Sequence, residues 1–269
     1  MARLDRVREF VDRLHPSGLL YTTYEHRLIA ELDHSQLPRH VAVLADGNRR
    51  WARTNAPGMP LVAGYQAGAD KLKDFVEWCD EIGIPVVTLW VLSTDNYSRS
   101  SAEEIKPLLE VIETMVSDLA ETGRWRVHPV GALDLLPPKS AARLRKAADD
   151  SADSNGMVVN IAVSYGGRHE LRDAVRSLLA EHAANGTPIA EVAETLDIEH
   201  IAQHLYTKGQ PDPDLIIRTS GEQRLSGFLM WQSAHSEFYF CEALWPDFRK
   251  VDFIRALRSY AARERRFGK

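Results

Sequence analysis

Four short polar clusters follow apolar runs in this 269-residue chain, and their side chains could hold a phosphorylated ligand. They are residues 46–50 (Asp-Gly-Asn-Arg-Arg), 93–97 (Ser-Thr-Asp-Asn-Tyr), 164–168 (Ser-Tyr-Gly-Gly-Arg) and 218–222 (Arg-Thr-Ser-Gly-Glu). Arginine side chains and exposed N–H groups at a helix start bind phosphate oxygens, whereas a carboxylate such as that of Asp46 suits Mg²⁺. A diphosphate with Mg²⁺ would use both kinds of group.

The first cluster alone admits two interpretations. Asp46 and Gly47 end an apolar run, and Arg49 and Arg50 stand at the predicted start of a helix. An N-capping aspartate beside solvated arginines explains this pattern as well as a diphosphate site does. The choice therefore depends on the other clusters.

A second anion site is predicted around residue 218. Arg218 ends an apolar run, and Arg224 and Ser226 follow on a short glycine-containing loop. Two guanidinium groups and a hydroxyl can converge there on one small anion. Glu237 enters an aromatic run, where a buried carboxylate needs a partner, either a metal or an arginine in a structural salt bridge.

The elements around these clusters predict an α/β fold. Five apolar runs read as strands buried on both faces of a parallel sheet, namely 40–45, 85–92, 125–130, 157–163 and 214–217. Helical periodicity covers 66–81, 105–119, 139–151, 168–184 and 252–266, and Ser101 with Glu104 is predicted to form a capping box before the second of these. Because ligands bind at the carboxyl ends of strands in such sheets, the clusters should form one site.

Composition excludes several classes of protein. The net charge of −5 and the pI near 6.1 argue against a nucleic-acid partner. Cys79 and Cys241 lack disulfide or zinc spacing, and no apolar run nears the roughly 20 residues of a membrane span. No GxGxxG follows a strand and no P-loop occurs, which argues against a nucleotide-dependent oxidoreductase and against phosphoryl transfer by a P-loop enzyme. A cytoplasmic location is expected.

The first 37 residues are predicted to form a helical extension before a catalytic domain of residues 38–269. Leu4, Val7 and Phe10 recur at helical spacing among arginines. Such a helix packs on the protein body or makes peripheral contact with a membrane surface. The interspersed acidic residues favour packing on the body.

Several motifs together resemble the cis-prenyltransferases, the undecaprenyl diphosphate synthase family. Residues 40–52 (HVAVLADGNRRWA) resemble its first signature, and residues 218–232 (RTSGEQRLSGFLMWQ) resemble a late one. Further matches are Asn160, residues 165–168 (YGGR), Glu237, residues 244–248 (LWPDF) and the ending 263–268 (RERRFG). The likeness covers residues 38–268.

The resemblance implies a fold and a reaction. It implies a homodimer whose single-domain subunit has a central parallel sheet surrounded by helices, with a hydrophobic tunnel. The implied reaction is the Mg²⁺-dependent condensation of isopentenyl diphosphate with an allylic diphosphate, which forms a Z double bond and releases diphosphate.

The resemblance also implies roles for individual residues. Asp46 and Asn96 would be catalytic, with Asp46 and Glu237 as metal ligands. Arg218, Arg224, Leu225 and Ser226 would bind isopentenyl diphosphate. The allylic substrate would contact Gly47, Asn48, Arg49, Arg50, Trp51, Ser93, Thr94, Asp95, Tyr97 and Arg99.

Two departures from the family pattern concern the allylic substrate. Residues 55–65 lack the usual Arg and Gly-His, for which Arg49 or Arg53 could substitute. Val91 and Leu92, preceded by Trp90, stand where long-chain relatives commonly have Ala-Phe. Bulk near the tunnel would stop elongation early, which predicts a short product such as (2Z,6E)-farnesyl diphosphate made from geranyl diphosphate. The alternatives are a long-chain synthase and a non-catalytic subunit of a heteromeric enzyme.

Overall fold

A computed structural model describes residues 29, 32–99 and 101–263 of the chain. These residues fall into two units: residues 38–248, and a smaller unit that combines the described residues before residue 38 with residues 249–263. The predicted N-terminal helix and the RERRFG ending lie largely outside the described residues, and the predicted domains 1–37 and 38–269 stay predictions. Within the described ranges, no helix combines the length and the apolar character that a bilayer span requires.

The larger unit is built on a six-stranded sheet in which every neighbouring pair is parallel. Its strands are β1 (His40–Leu44), β2 (Val86–Trp90), β3 (Arg126–Val130), β4 (Val158–Ala162), β5 (Leu215–Arg218) and β6 (Glu237–Phe240). Their order across the sheet is β3-β4-β2-β1-β5-β6. The predicted α/β class is confirmed, and the first five strands match the apolar runs to within two residues at each end.

Burial explains why five strands were predicted and the sixth was missed. All residues of β1 and β5 are buried, which is the environment that continuous apolar runs indicate. In β6, at the sheet edge, the residues are only half-buried, and Phe240 is exposed. The aromatic run that Glu237 enters is therefore an edge strand.

Eight helices of the larger unit follow the strands or connect them. They are α1 (Asn48–Asn55), α2 (Val62–Ile82), α3 (Thr94–Arg99), α4 (Ala102–Glu121), α5 (Pro138–Asp150), α6 (Gly167–Ala184), α7 (Ile189–Thr195) and α8 (Ile198–Ala202). Helix α1 packs on α2, α2 on α4, and α4 on α5. Ser101 is the N-cap of α4 as predicted, but the capping box is wrong, because the Glu104 carboxylate binds Arg49 and Tyr65 instead.

The contact between α1 and α2 depends on glycine. A Cβ atom on Gly64 would lie 2.3 Å from the carbonyl oxygen of Asn48 and 2.8 Å from Cβ of Ala52. One turn later, a Cβ on Gly68 would lie 2.5 Å from Oδ1 of Asn48. The absence of side chains on this face of α2 lets the start of α1 lie directly against it.

The smaller unit contains the 3₁₀ turn His34–Gln36 and helix α9 (Lys250–Ala261). Asp252 stabilises the start of α9, because its carboxylate accepts hydrogen bonds from the backbone and side chain of Arg249 and from Arg255. Residues 264–266 of the predicted helix 252–266 lie outside the described residues.

Candidate active site

The carboxyl ends of neighbouring strands bring the predicted polar clusters to one edge of the sheet. Asp46 follows β1 and Ser93 follows β2. Tyr165 follows β4, and Arg218 is the last residue of β5. Ser93 pairs with Tyr165 in a parallel bridge, and the Thr94 N–H donates to the Tyr165 carbonyl at 3.0 Å. The parallel topology therefore joins clusters that lie far apart in sequence.

Asp46 is held through both its backbone and its carboxylate. Its N–H donates to the Thr219 hydroxyl at 3.0 Å, and that hydroxyl donates to the Asp46 carbonyl at 2.8 Å. The carboxylate lies 3.0 Å from an Nη of Arg218 and 3.7 Å from an Nη of Arg50. The Asp46 side chain is 40% exposed, whereas that of Arg218 is 5% exposed. A fixed arginine thus orients a carboxylate that a ligand can reach.

The predicted anion site around Arg218 is partly assembled. The Arg218 guanidinium donates to Oγ of Ser226 at 3.0 Å and to the backbone carbonyl of Arg224. The side chain of Arg224 is 65% exposed, and its guanidinium pairs with Glu222 at 2.6 Å. Arg218 and Ser226 therefore converge, while the Arg224 side chain is engaged elsewhere.

A buried network anchors the loop that carries Ser226. The Tyr165 hydroxyl accepts from the Leu229 N–H at 3.1 Å and donates to the Glu170 carboxylate at 2.5 Å. The Gln232 amide also donates to Glu170, at 3.0 Å. Desolvation raises the pKa values of Glu170 and Tyr165. Ser226 and Leu229 have positive φ angles of 52° and 43°, so the network holds a backbone that is strained for non-glycine residues.

Two cavities open at this edge of the sheet. The larger, of about 1010 Å³, is lined by Leu44, Ala45, Asp46, Arg49, Trp90, Val91, Leu92, Ser93, Thr94, Asp95, Asn96, Tyr165, Gly166, Arg168, His169, Arg218, Arg224, Leu225, Ser226, Gly227, Met230 and Ser233. The smaller, of about 340 Å³, is lined by Ala45, Asp46, Gly47, Asn48, Arg49, Arg50, Arg53, Tyr65, Val91, Leu92, Asn96, Glu104 and Leu108. The predicted catalytic residues Asp46 and Asn96 line both, so each could act on ligands in either cavity.

The residues predicted to contact the allylic substrate fall into four groups. Gly47, Asn48, Arg49 and Arg50 line the smaller cavity. Ser93, Thr94 and Asp95 line the larger one. Trp51 and Tyr97 line neither, and the Trp51 indole instead donates to Asp247 at 2.8 Å. The side chain of Arg99 lies outside the described part of the chain.

Glu237 does not share a site with Asp46 within one chain. It begins β6, where it pairs in register with Leu215, which in turn pairs with Val41. Leu44 lies three residues beyond Val41 along β1, which is a strand rise of about 10 Å. Asp46 lies two residues beyond Leu44. The predicted pair of metal ligands is therefore not assembled by the described residues of a single chain.

Asp46 fits a Mg²⁺ site in which the ligand supplies further oxygens. No group of three or more histidine, cysteine or acidic side chains that could hold a metal occurs within the described residues. Mg²⁺ commonly takes one or two carboxylates, with water and phosphate oxygens completing its shell. The exposed carboxylate of Asp46, at the junction of two arginine-bearing cavities, suits that arrangement.

Sequence reasoning did not single out several residues of the site. Thr219 lies inside a recognised cluster, but only the pairing of β1 with β5 reveals its bonds to Asp46. Glu104 was interpreted as a helix cap, and Tyr65 and Leu108 sit on helices at periodic positions typical of packing. No local signal marks these three as cavity residues, because α2 and α4 meet α1 only in the folded chain.

Comparison with known proteins shows which sequences and structures this chain resembles. The profile of the undecaprenyl diphosphate synthase family matches residues 44–268. A (2Z,6E)-farnesyl diphosphate synthase from Thermobifida fusca is 59% identical over 93% of this chain and 97% of its own length. A short-chain Z-isoprenyl diphosphate synthase from Mycobacterium leprae is 51% identical over 93% of this chain and 96% of its own. The crystal structure of lavandulyl diphosphate synthase from Lavandula x intermedia, in complex with dimethylallyl diphosphate, has a TM-score of 0.79 and 34% identity, and the match covers 87% of this chain and 100% of that one.

Proposed function

The chain belongs to the undecaprenyl diphosphate synthase family, and on that premise we propose that it makes a short-chain Z-prenyl diphosphate from isopentenyl diphosphate and geranyl diphosphate. The allylic C1–O bond breaks, C4 of isopentenyl diphosphate bonds to C1, and a proton leaves C2 as diphosphate is released. The observation that carries this proposal is that Asp46 and Asn96 line both cavities, with arginines on either side.

The smaller cavity would hold the allylic diphosphate. Arg49, Arg50 and Arg53 line it beside the start of α1, and the N-terminal end of a helix favours an anion. This assignment also explains how the allylic diphosphate could be bound without the usual Arg and Gly-His of residues 55–65, because Arg49 and Arg53 both line the cavity. Fixed positive groups act most on the leaving diphosphate, where negative charge develops as the C1–O bond breaks.

The larger cavity would hold isopentenyl diphosphate. Arg218 and Ser226 are preorganised there, and Arg224 would leave Glu222 to reach the incoming diphosphate. Leu225 lines the same cavity and would pack on the apolar part of the substrate.

Asn96 would orient the substrate as its proton is lost. Its N–H donates to the Ser93 hydroxyl at 3.0 Å, which fixes its backbone at the start of α3. An uncharged amide is a poor base, so the Asn96 side chain positions the substrate while a diphosphate oxygen accepts the C2 proton.

Asp46 would bind Mg²⁺, which when bound neutralises the charge that develops on the leaving diphosphate. Arg218 and Thr219 would hold the Asp46 carboxylate in place for it. Glu237 could join Asp46 only from a second copy of the chain, which the expected homodimer would supply.

The product would be short rather than long. Val91 and Leu92 line the smaller cavity together with Leu108. The relatives named above from Thermobifida fusca and Mycobacterium leprae carry short-chain names. A long-chain synthase would need space beyond these side chains for many isoprene units.

The test is incubation with labelled isopentenyl diphosphate, Mg²⁺ and either geranyl or farnesyl diphosphate, followed by sizing of the products. We expect a fifteen-carbon Z product from geranyl diphosphate (ten carbons plus the five of one isoprene unit). Absence of any condensation by the pure chain, restored by a second protein, would instead identify a non-catalytic subunit.

A further inference from the structure

A cluster of three polar side chains forms part of the wall of the smaller cavity. One oxygen of Glu104, on α4, accepts a hydrogen bond from the Tyr65 hydroxyl of α2 at 2.7 Å. The same oxygen accepts from an Nη of Arg49, on α1, at 3.1 Å. We call these residues the Glu104 cluster. It joins three separate helices at one point of the cavity.

Tyr65 is a permanent donor in this cluster. Its side chain is buried, and burial together with the neighbouring Glu104 carboxylate raises its pKa well above the usual value for tyrosine. The hydroxyl therefore keeps its proton and continues to bind Glu104 throughout the neutral range. The positive charges of Arg49 and Arg53 act on Tyr65 in the opposite sense, so both guanidinium groups lie near it.

The hydrogen bond to Glu104 restricts the motion of the Arg49 side chain but leaves most of its N–H donors available for a ligand. A guanidinium has five N–H donors, and the described contact with Glu104 uses one of them. Arg49 lines both cavities, and its side chain is 49% exposed, so the remaining donors can meet a ligand. A long arginine side chain that is already ordered loses less entropy when it binds an anion.

We propose that Glu104 is a positioning residue, which holds the Arg49 guanidinium and the Tyr65 hydroxyl in place for the allylic diphosphate. The proposal rests on the function proposed above. It assigns to α4 a role in selecting the allylic substrate, which no residue of that helix has in the sequence-based assignment.

A competing electrostatic effect predicts that removal of the Glu104 charge would strengthen, not weaken, binding of the allylic diphosphate. Arg49, Arg50 and Arg53 give the smaller cavity three positive charges, and Asp46 and Glu104 give it two negative ones. If repulsion between Glu104 and the diphosphate outweighed its effect on Arg49, neutralising Glu104 would tighten binding. Glutamine separates the two effects, because it keeps an acceptor oxygen for Arg49 and Tyr65 but carries no charge.

The experiment compares Glu104→Ala, Glu104→Gln and Tyr65→Phe, with Glu103→Gln as the matched control. Glu103 is the preceding exposed carboxylate of α4 and lines neither cavity. We expect Glu104→Ala to raise the KM for geranyl diphosphate about tenfold, since a hydrogen bond to a charged group is lost. The KM for isopentenyl diphosphate should stay within about twofold of the wild-type value, because Glu104 and Tyr65 line only the smaller cavity.

The other variants complete the test. Glu104→Gln should retain most of the affinity for geranyl diphosphate, Tyr65→Phe should lose part of it, and Glu103→Gln should match the wild type. The inference is overturned if Glu104→Ala raises both KM values equally, leaves both unchanged, or binds the allylic substrate more tightly. If the Glu104 variants melt at the same temperature as the wild type, a change in KM comes from lost positioning and not from a less stable fold.

Calorimetric titration with geranyl diphosphate alone keeps this inference distinct from the proposed function. If the wild type binds geranyl diphosphate but does not condense it, the proposed function fails, while weaker binding by Glu104→Ala still supports the positioning role. If the wild type condenses the substrates and Glu104→Ala binds geranyl diphosphate as tightly, the positioning role fails and the proposed function stands.

Discussion

Asp46 is the residue on which the proposed mechanism depends most, because its carboxylate opens into both cavities. Asp46→Ala should lower kcat by at least about 100-fold, the typical loss when one preorganised electrostatic group is removed. Measurement of kcat across a Mg²⁺ titration would show the loss at every metal concentration. Near-normal turnover by the variant would remove Asp46 from the mechanism.

Arg224 tests the assignment of the two cavities. Arg224 lines the larger cavity, and its guanidinium pairs with the half-buried Glu222. Arg224→Ala should raise the KM for isopentenyl diphosphate by about tenfold and change the KM for the allylic substrate much less. Glu222→Gln is a useful companion, since it frees Arg224 without removing it. A larger effect on the allylic KM would mean that the two sites are exchanged.

The junction of α1 and α2 sets the position of Asn48 and Arg49 at the smaller cavity. Alanine favours a helix over glycine by about 1 kcal/mol, so Gly64→Ala would stabilise α2 in isolation. Its Cβ would lie 2.3 Å from a backbone carbonyl of α1, however, and overpacking of this kind typically costs about 1–3 kcal/mol. We expect a net loss of stability in urea unfolding and a lower kcat/KM for the allylic substrate. Gln66→Ala, on the exposed face of α2, should show neither effect, whereas a Gly64→Ala enzyme with full activity would contradict the close packing.

A row of buried side chains joined by hydrogen bonds, namely His40, Thr88 and Asn160, should make the free energy of unfolding depend on pH. Nδ1 of His40 must donate to the Pro211 carbonyl at 2.7 Å, so Nε2 accepts from the Thr88 hydroxyl at 2.8 Å. Thr88 in turn accepts from the Asn160 amide at 3.0 Å. Desolvation lowers the pKa of His40 to about 4, even though the carbonyl of Pro211 and the nearby Asp214 act to raise it. The folded protein therefore holds His40 neutral.

The sign of the pH effect follows from this lowered pKa. Below pH 6.5 the unfolded chain protonates His40 while the folded chain does not, so stability is greatest above that pH and is lost as the pH falls toward 4. Between pH 7.5 and pH 5 the loss from this group is about 2 kcal/mol. Urea unfolding of the wild type and of His40→Gln at both pH values would isolate the contribution. An identical pH dependence in the two proteins would refute it.

Product length is a property of the assembled fold, because the residues that follow strand β2 and residues of helix α4 both line the smaller cavity. Each isoprene unit gains about 0.8 kcal/mol per buried CH₂, so elongation continues until side chains leave no room. Val91 and Leu92 line both cavities, whereas Trp90 lines only the larger one and stacks on Phe228 at 5.0 Å. Leu92→Ala and Val91→Ala should therefore yield longer products by chromatographic sizing. Products of ten or more isoprene units from the wild type would defeat this prediction.

Much of this arrangement could be predicted from local sequence. Buried parallel strands are continuous apolar runs, so β1 to β5 and the clusters that follow them were identifiable. Asp46, Asn96, Arg218 and Ser226 carry chemistry in short ordered motifs, which is why they were correctly expected at one edge of the sheet. Strand β6 escaped prediction because an edge strand of three half-buried residues and one exposed residue has neither a continuous core pattern nor a clear alternation.

Other features became visible only in the folded chain, because they join residues that are distant in sequence. Thr219 reaches Asp46 through the pairing of β5 with β1, and Glu104 meets Tyr65 and Arg49 where three helices converge. Glu237 carries a plausible ligand group in a recognisable motif, yet the strand register separates it from Asp46 within one chain. A motif specifies which groups are available, whereas strand register and helix packing decide which of them lie within bonding distance.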